Sequence, residues 1–181
     1  IFEERYIQLV NDCMKNQKLF GMAQPKFKTN LKPEVYNVGC LGKITNLNKT
    51  NDGRFIINLS GIIRFRIDIE LKTDKLYREF NVNYSDFIND LDSKKKKELK
   101  NKSLINKIKI FLSKKNYLIE SNQLEKINSD QLINTICMIY PFSILEKQKL
   151  IETIKIEDKI KVLEEIINFD LADHLKNKTI Q

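Results

Sequence analysis

Half-way along this chain the spacing of the apolar side chains changes, and that change constrains the fold more than any motif does. Up to Ser85 they tend to alternate, as in Phe55, Ile57 and Leu59 or Ile63, Phe65 and Ile67; from Ser103 they recur every three or four positions. A period of two marks strands with one buried face, and a period near 3.6 marks helices with one apolar stripe. The sequence therefore predicts an α+β chain, β-rich first and helical afterwards.

In the first half, Phe2, Tyr6, Leu9, Val10, Cys13 and Met14 fall on one face of a helix over residues 1 to about 17. Strands are predicted at 19–25, 35–47, 54–60, 63–68 and 77–84, with Gly61 separating the third from the fourth. Gly39 and Gly42 interrupt a strand where a bulge, a bend or close approach of another backbone is expected. Asn51-Asp52-Gly53 between two β-prone runs predicts a tight hairpin turn.

Asp86 to Lys102 is dominated by charge and includes Lys94-Lys95-Lys96-Lys97. It reads as a linker between a β-rich unit, 1–85, and a helical bundle, 103–181. One stripe of the bundle is Leu104, Ile105, Ile108, Phe111 and Leu112; another is Leu132, Ile133, Ile136, Cys137 and Tyr140. The second helix should start near Ser129 and stop at Pro141. Ser143 and Glu146 have the spacing of a capping box ahead of a helix to about Ile154. A last helix is expected from Glu157 or Asp158 to about Leu171, giving four in all.

No apolar run approaches the roughly 18 residues of a membrane span. Ile1-Phe2-Glu3-Glu4-Arg5 carries no leader pattern, and the expectation is a chain that starts part-way through a longer one. Cys13, Cys40 and Cys137 are scattered and odd in number, which argues against a disulfide framework or zinc site and fits a reducing cytoplasm. The formal charge of +8 invites a polyanion, although Lys, Asn and Ile are abundant throughout, as codon bias would produce.

Hydrolytic or redox chemistry finds few parts here. The single histidine, His174, lies in a C-terminal segment that looks frayed, and no second imidazole could serve as base or ligand. Ser93 and Lys96 have Ser-x-x-Lys spacing, but a lysine in a solvated run keeps its proton. Gly39-Cys40-Leu41-Gly42-Lys43 is followed by strand-like residues rather than by the helix a phosphate loop needs. A non-catalytic binding module without cofactor or metal is expected.

Several pieces in register carry a resemblance. Ile1-Phe2-Glu3-Glu4-Arg5-Tyr6, Leu19-Phe20-Gly21-Met22, Tyr36 to Ile44, Asp52-Gly53-Arg54 and Gly61 to Arg66 together resemble the N-terminal substrate-binding domain of Lon proteases. Ile139 to Ser143 and Glu146-Lys147-Gln148 extend the likeness, and look more like the stand-alone bacterial version. Glu4 stands where the family usually has proline, and the family has a β-strand region ahead of this motif, so a sheet edge could be left exposed. The resemblance implies a PUA-like antiparallel β pseudo-barrel followed by a helical bundle. It also implies recognition of unfolded or tagged polypeptides, in possible association with a protease, with Arg5 and Tyr6 anchoring the first helix to the sheet.

Phe20, Met22, Tyr36 and Phe65 are the candidate polypeptide-binding residues. The alternative is an RNA-binding surface made of Arg64, Arg66, Lys94, Lys95, Lys96 and Lys97, which suffers from a lack of interleaved aromatics.

Overall fold

The computed structural model describes residues 1–26, 32–92, 106, 107, 110 and 129–178. The expected helix at 104–112 falls largely outside these residues, and so do the lysine run and the Ser93–Lys96 pair. The chain divides into two compact units, Ile1–Asp92 and Ser93–Gln181.

The first unit begins with helix α1, Glu4–Lys15, and continues as strands β1 (Leu19–Met22), β2 (Val38–Lys49), β3 (Phe55–Leu71) and β4 (Glu79–Asn83). These form one antiparallel sheet in the order β1-β2-β3-β4. Val10 and Cys13 of α1 pack with Ile44 and Phe55, flanked by Leu47, Ile57 and Leu59. Phe2, expected in that stripe, is 70% exposed and lies beside the Arg54 guanidinium instead. Helix α1 begins only at Glu4, which leaves Phe2 off the helical face. Lys18, at φ +61°, turns the chain out of the helix, and its amide bonds back to the Cys13 carbonyl.

The two strands expected on either side of Gly61 are one continuous strand, β3. Gly61 marks a bulge rather than a break: Gly42 faces Gly61 while Leu41 faces Ile63, so Ile62 is an extra residue. A second bulge at Thr45 places Leu47, not Asn46, opposite Ile57, and a third at Asp68 shifts the pairing with β4. Each bulge resets the alternation, which a strict period of two cannot anticipate. The turn at the β2–β3 tip is a three-residue loop. The Gly53 amide donates to Thr50 O at 3.0 Å and only Gly53, at φ +82°, is left-handed there.

After β4 a 3-10 helix covers Ser85–Leu91, where the sequence suggested that a linker begins. Phe87 is its buried anchor, 1% exposed, and a single aromatic amid charges gave no helical stripe to detect.

The second unit contains α2 (Ser129–Ile139), α3 (Ile144–Glu152) and α4 (Ile156–Lys178) among its described residues. Ile133, Ile136, Tyr140, Phe142, Leu150, Ile160, Leu163, Ile166 and Ile167 make its core. Tyr140 stacks on Phe142 at 4.5 Å between centroids, and its hydroxyl donates to Asp170. The capping box forms as expected: Glu146 N donates to Ser143 Oγ, and Ser143 N donates to Glu146 Oε2 at 2.7 Å. Buried Gln148 is satisfied by donating to Glu152. Helix α4 runs past the last apolar repeat and takes His174 into regular helix rather than a frayed tail.

Candidate functional site: an open cleft on the sheet

The two faces of β3 serve different purposes. On one, Val38 and Cys40 of β2 sit opposite Arg66 and Arg64 of β3, and the 3-10 helix covers them. Arg64 grips Asp90 with two bonds of 2.8 Å, and its guanidinium lies 4.5 Å from the Phe87 ring centroid. Arg66 donates to Asp86 at 3.0 and 2.8 Å. The Arg64 pair is bidentate, which fixes geometry as well as charge, while both Arg66 bonds go to one oxygen of Asp86. The two arginines weighed as a polyanion surface are thus engaged in holding the 3-10 helix. Arginines two apart on the strand thus meet aspartates four apart on a helical turn.

The opposite face is a cleft of about 990 Å³ within the first unit. Its floor is Leu41, Phe65, Ile67 and Val82, and side chains of α1 and β1 contribute a wall that includes Tyr6, Leu9 and Phe20. Two glycines shape the floor. A Cβ on Gly39 would lie 2.6 Å from the Phe65 ring and 2.5 Å from Met22 O; one on Gly21 would lie 3.0 Å from the same ring. The ring therefore occupies space that side chains would fill. Of the alternatives anticipated at Gly39, the nearness of Met22 O is the close approach of another backbone. Tyr84 meets Phe65 edge-on at 6.5 Å.

Of the predicted binding residues, Phe20 and Phe65 line the cleft. Met22 and Tyr36 do not: Met22 is 57% exposed elsewhere, and Tyr36 is half-buried with its amide donating to Gln24 O. Arg5 pairs with Glu3 and lies over Tyr6, within its own chain segment. Helix α1 is tied to the rest of the unit from its middle: Gln8 Oε1 accepts from Leu76 N at 2.8 Å, and Tyr77 OH donates to Asp12 at 3.0 Å. Those polar partners lie far apart in sequence and carry no local signal. Leu71 and Leu76, which also line the cleft, are exposed.

Charges at the cleft are mostly spent on one another. Lys75 donates to Glu79 at 2.6 Å and lies over the Tyr77 ring, which holds its pKa well above the usual lysine range. Arg78 bonds both oxygens of Glu70, with Lys32 beside them; these bonds, led by Arg78, lower the Glu70 carboxyl to about 2. Burial raises the Cys13, Cys40 and Cys137 thiols, so none is poised as a thiolate nucleophile. No group of three acidic, His or Cys side chains that could hold a metal occurs among the described residues. No described helix is long and apolar enough to cross a membrane. The cleft offers apolar contact and hydrogen bonding.

Comparison with known proteins agrees on one family. Residues 1–168 match the ATP-dependent protease La (LON) substrate-binding domain. Among solved structures, a Lon N-terminal domain protein from Xanthomonas campestris superposes with a TM-score of 0.62 at 19% identity, over 91% of this chain and 85% of that one. The N-terminal domain of a Mycobacterium avium complex Lon protease gives 0.65 at 11% identity, over 92% and 87%. Among curated proteins none matches. The matched region is the non-catalytic domain, and no catalytic domain is found in this chain.

Proposed function

The chain belongs to the LON substrate-binding domain family, and on that premise we propose that it is a non-catalytic module that captures unfolded or tagged polypeptide segments in the cleft of its first unit. The observation that carries this reading is the cleft's make-up: an apolar floor set back by two glycines, with exposed leucines at its side and its charges paired internally. A segment with apolar side chains gains by burying them there, at roughly 25 cal/mol per Å² removed from water. Specificity for sequence is not demanded by such a surface, which suits a reader of unfolded chains. In this reading the sheet is part of a PUA-like pseudo-barrel, the module works in the cytoplasm, and it hands clients to a protease.

The test is a fluorescence-anisotropy titration with a dye-labelled, reduced and unfolded protein. Wild-type chain is expected to bind saturably, and a Leu71→Ser/Leu76→Ser variant about tenfold more weakly, a difference of about 1.4 kcal/mol. Both leucines are exposed, so the fold should survive with its melting temperature nearly unchanged. Absent binding, or equal affinity in the two proteins, would sink the proposal. The RNA alternative has less behind it, because Arg64 and Arg66 are engaged with Asp90 and Asp86.

A further inference from the structure

Resting on the reading that this module takes polypeptide in its cleft, we infer that Leu76, Tyr77 and Arg78 form a clasp that fixes the width of the cleft and so determines which apolar side chains it accepts. All three line the cleft, in the connection that leads from β3 into β4. Together they reach three other elements. The Leu76 amide donates to Gln8 Oε1 at 2.8 Å and the Tyr77 hydroxyl donates to Asp12 Oδ2 at 3.0 Å, so two bonds hold α1. Arg78 Nη1 donates to Pro33 O at 2.7 Å, while its Nε and Nη2 donate to the two oxygens of Glu70 on β3 at 2.9 and 2.8 Å. Its guanidinium also lies 4.9 Å from the Phe80 ring centroid.

Pro33 belongs to an arm between β1 and β2 that pairs with itself. Pro25 bridges Val35, and Lys26 N donates to Glu34 O and Tyr36 N to Gln24 O, both at 2.8 Å. Pro25, Pro33 and Val35 line the cleft, as Tyr6 and Leu9 of α1 do. The arm and α1 are therefore both tied to one short segment. Burial does not anchor that segment: Leu76 is 60% exposed, Tyr77 and Arg78 are half-buried, and none belongs to the core around Val10 and Phe55. Directed polar bonds set its position, and the two-pronged Arg78–Glu70 pair is the most restrictive of them. Lys75 braces it from within, with Nζ on Glu79 at 2.6 Å and its amide on Thr73 Oγ1 at 3.3 Å.

A cleft whose walls are tied together resists widening for a larger guest, and its order is already established before a guest arrives. The clasp thus supplies a preference by size on a surface that makes no demand for sequence. Arg78 acts through the walls it holds and is a positioning residue.

The experiment is a fluorescence-anisotropy titration of the full chain with two dye-labelled peptides in one glycine–serine frame, one carrying leucine and the other tryptophan at the same two positions. Cutting the clasp by Tyr77→Phe, which removes only a hydroxyl, or by Arg78→Met should shift the ratio of the two affinities toward tryptophan by about fivefold. Asp12→Ala should act like Tyr77→Phe. Asp12→Asn still offers an oxygen to the Tyr77 hydroxyl and should keep the wild-type ratio. Gly53→Ala, at the hairpin tip, costs stability without touching the clasp and should leave the ratio alone.

A wild-type chain that binds both peptides, with a ratio unmoved in Tyr77→Phe and Arg78→Met, would overturn the clasp and leave the cleft reading intact. A shift in Gly53→Ala as large as theirs would equally overturn it, because the ratio would then follow stability. So would a shift in Asp12→Asn equal to that in Asp12→Ala, since the bond to Tyr77 would then not matter. Failure of the wild-type chain to bind either peptide or unfolded protein would remove the capture reading itself, and the clasp with it.

Discussion

One strand presents two faces, and they are held by different physics. On the 3-10 helix side, β3 offers arginines, and the covering segment is fastened by charge-assisted bonds around a single buried ring, Phe87. On the cleft side it offers Phe65, seated against glycines and left without a covering helix. Ion pairs fix where a segment sits and add modest stability, whereas apolar surface stabilises by being buried and attracts a partner where it is not. The difference shows that the basic residues of this strand are already engaged with the covering segment, whereas its cleft side is built on apolar packing.

The contrast can be broken most forcefully at Phe65, which is 4% exposed. Phe65→Ala should destabilise the first unit by about 3–5 kcal/mol in urea denaturation, with little dependence on salt. A small loss would mean that the floor of the cleft is not packed as described.

On the other face, Arg64→Ala should cost less, about 1.5–3 kcal/mol, the scale of a hydrogen bond to a charged group. Here the loss should be local: exchange at the Phe87 amide should accelerate while the β2–β3 amides change little. Equal acceleration across the sheet would show that the 3-10 helix and sheet open as one.

The hairpin tip belongs to neither face and provides a reference. Gly53→Ala, at φ +82° with open space around it, should cost about 1–2 kcal/mol through backbone strain alone. Affinity for unfolded polypeptide should not move.

The smallest effect is expected at Glu70. Its carboxyl is lowered to about 2 from an ordinary 4.5, chiefly by Arg78. A depressed folded-state pKa stabilises above the unfolded value and loses that contribution as pH falls. The contribution is therefore complete above about 4.5 and disappears on descending toward about 2. In Glu70→Gln the acid limb of the stability profile should flatten in that window. An unchanged limb would show that the Arg78 pair, partly open to solvent, counts for nothing in stability.

What the sequence disclosed depended on whether the signal was local. The capping box at Ser143 and Glu146, the turn at Gly53, the stripe of α1 around Val10 and Cys13 and the opposed faces of Arg64 and Phe65 are short-range patterns, and each appears in the structure. The continuity of β3 was hidden because two bulges, at Ile62 and Asp68, interrupt its alternation. The 3-10 helix was hidden because its anchor is one residue in a charged stretch. Phe20 and Phe65 lie at the cleft and Met22 and Tyr36 elsewhere, a placement that depends on strand pairing distant in sequence and leaves no local mark.

The seat of Phe65 between Gly39 and Gly21 also bears on how the sheet finds its alignment. Gly39 lies opposite Phe65 across β2 and β3, and Gly21 lies opposite Leu41 across β1 and β2. Sliding β2 by two residues along β3 would preserve which side chains are buried but bring Leu41 or Asn37 against the ring in place of Gly39. Patterns of burial alone cannot reject such a slip; the ring can, because only glycine leaves it room. A pair of absent side chains thus encodes the pairing of three strands, and mispaired arrangements are refused by volume before hydrogen bonding has to choose among them.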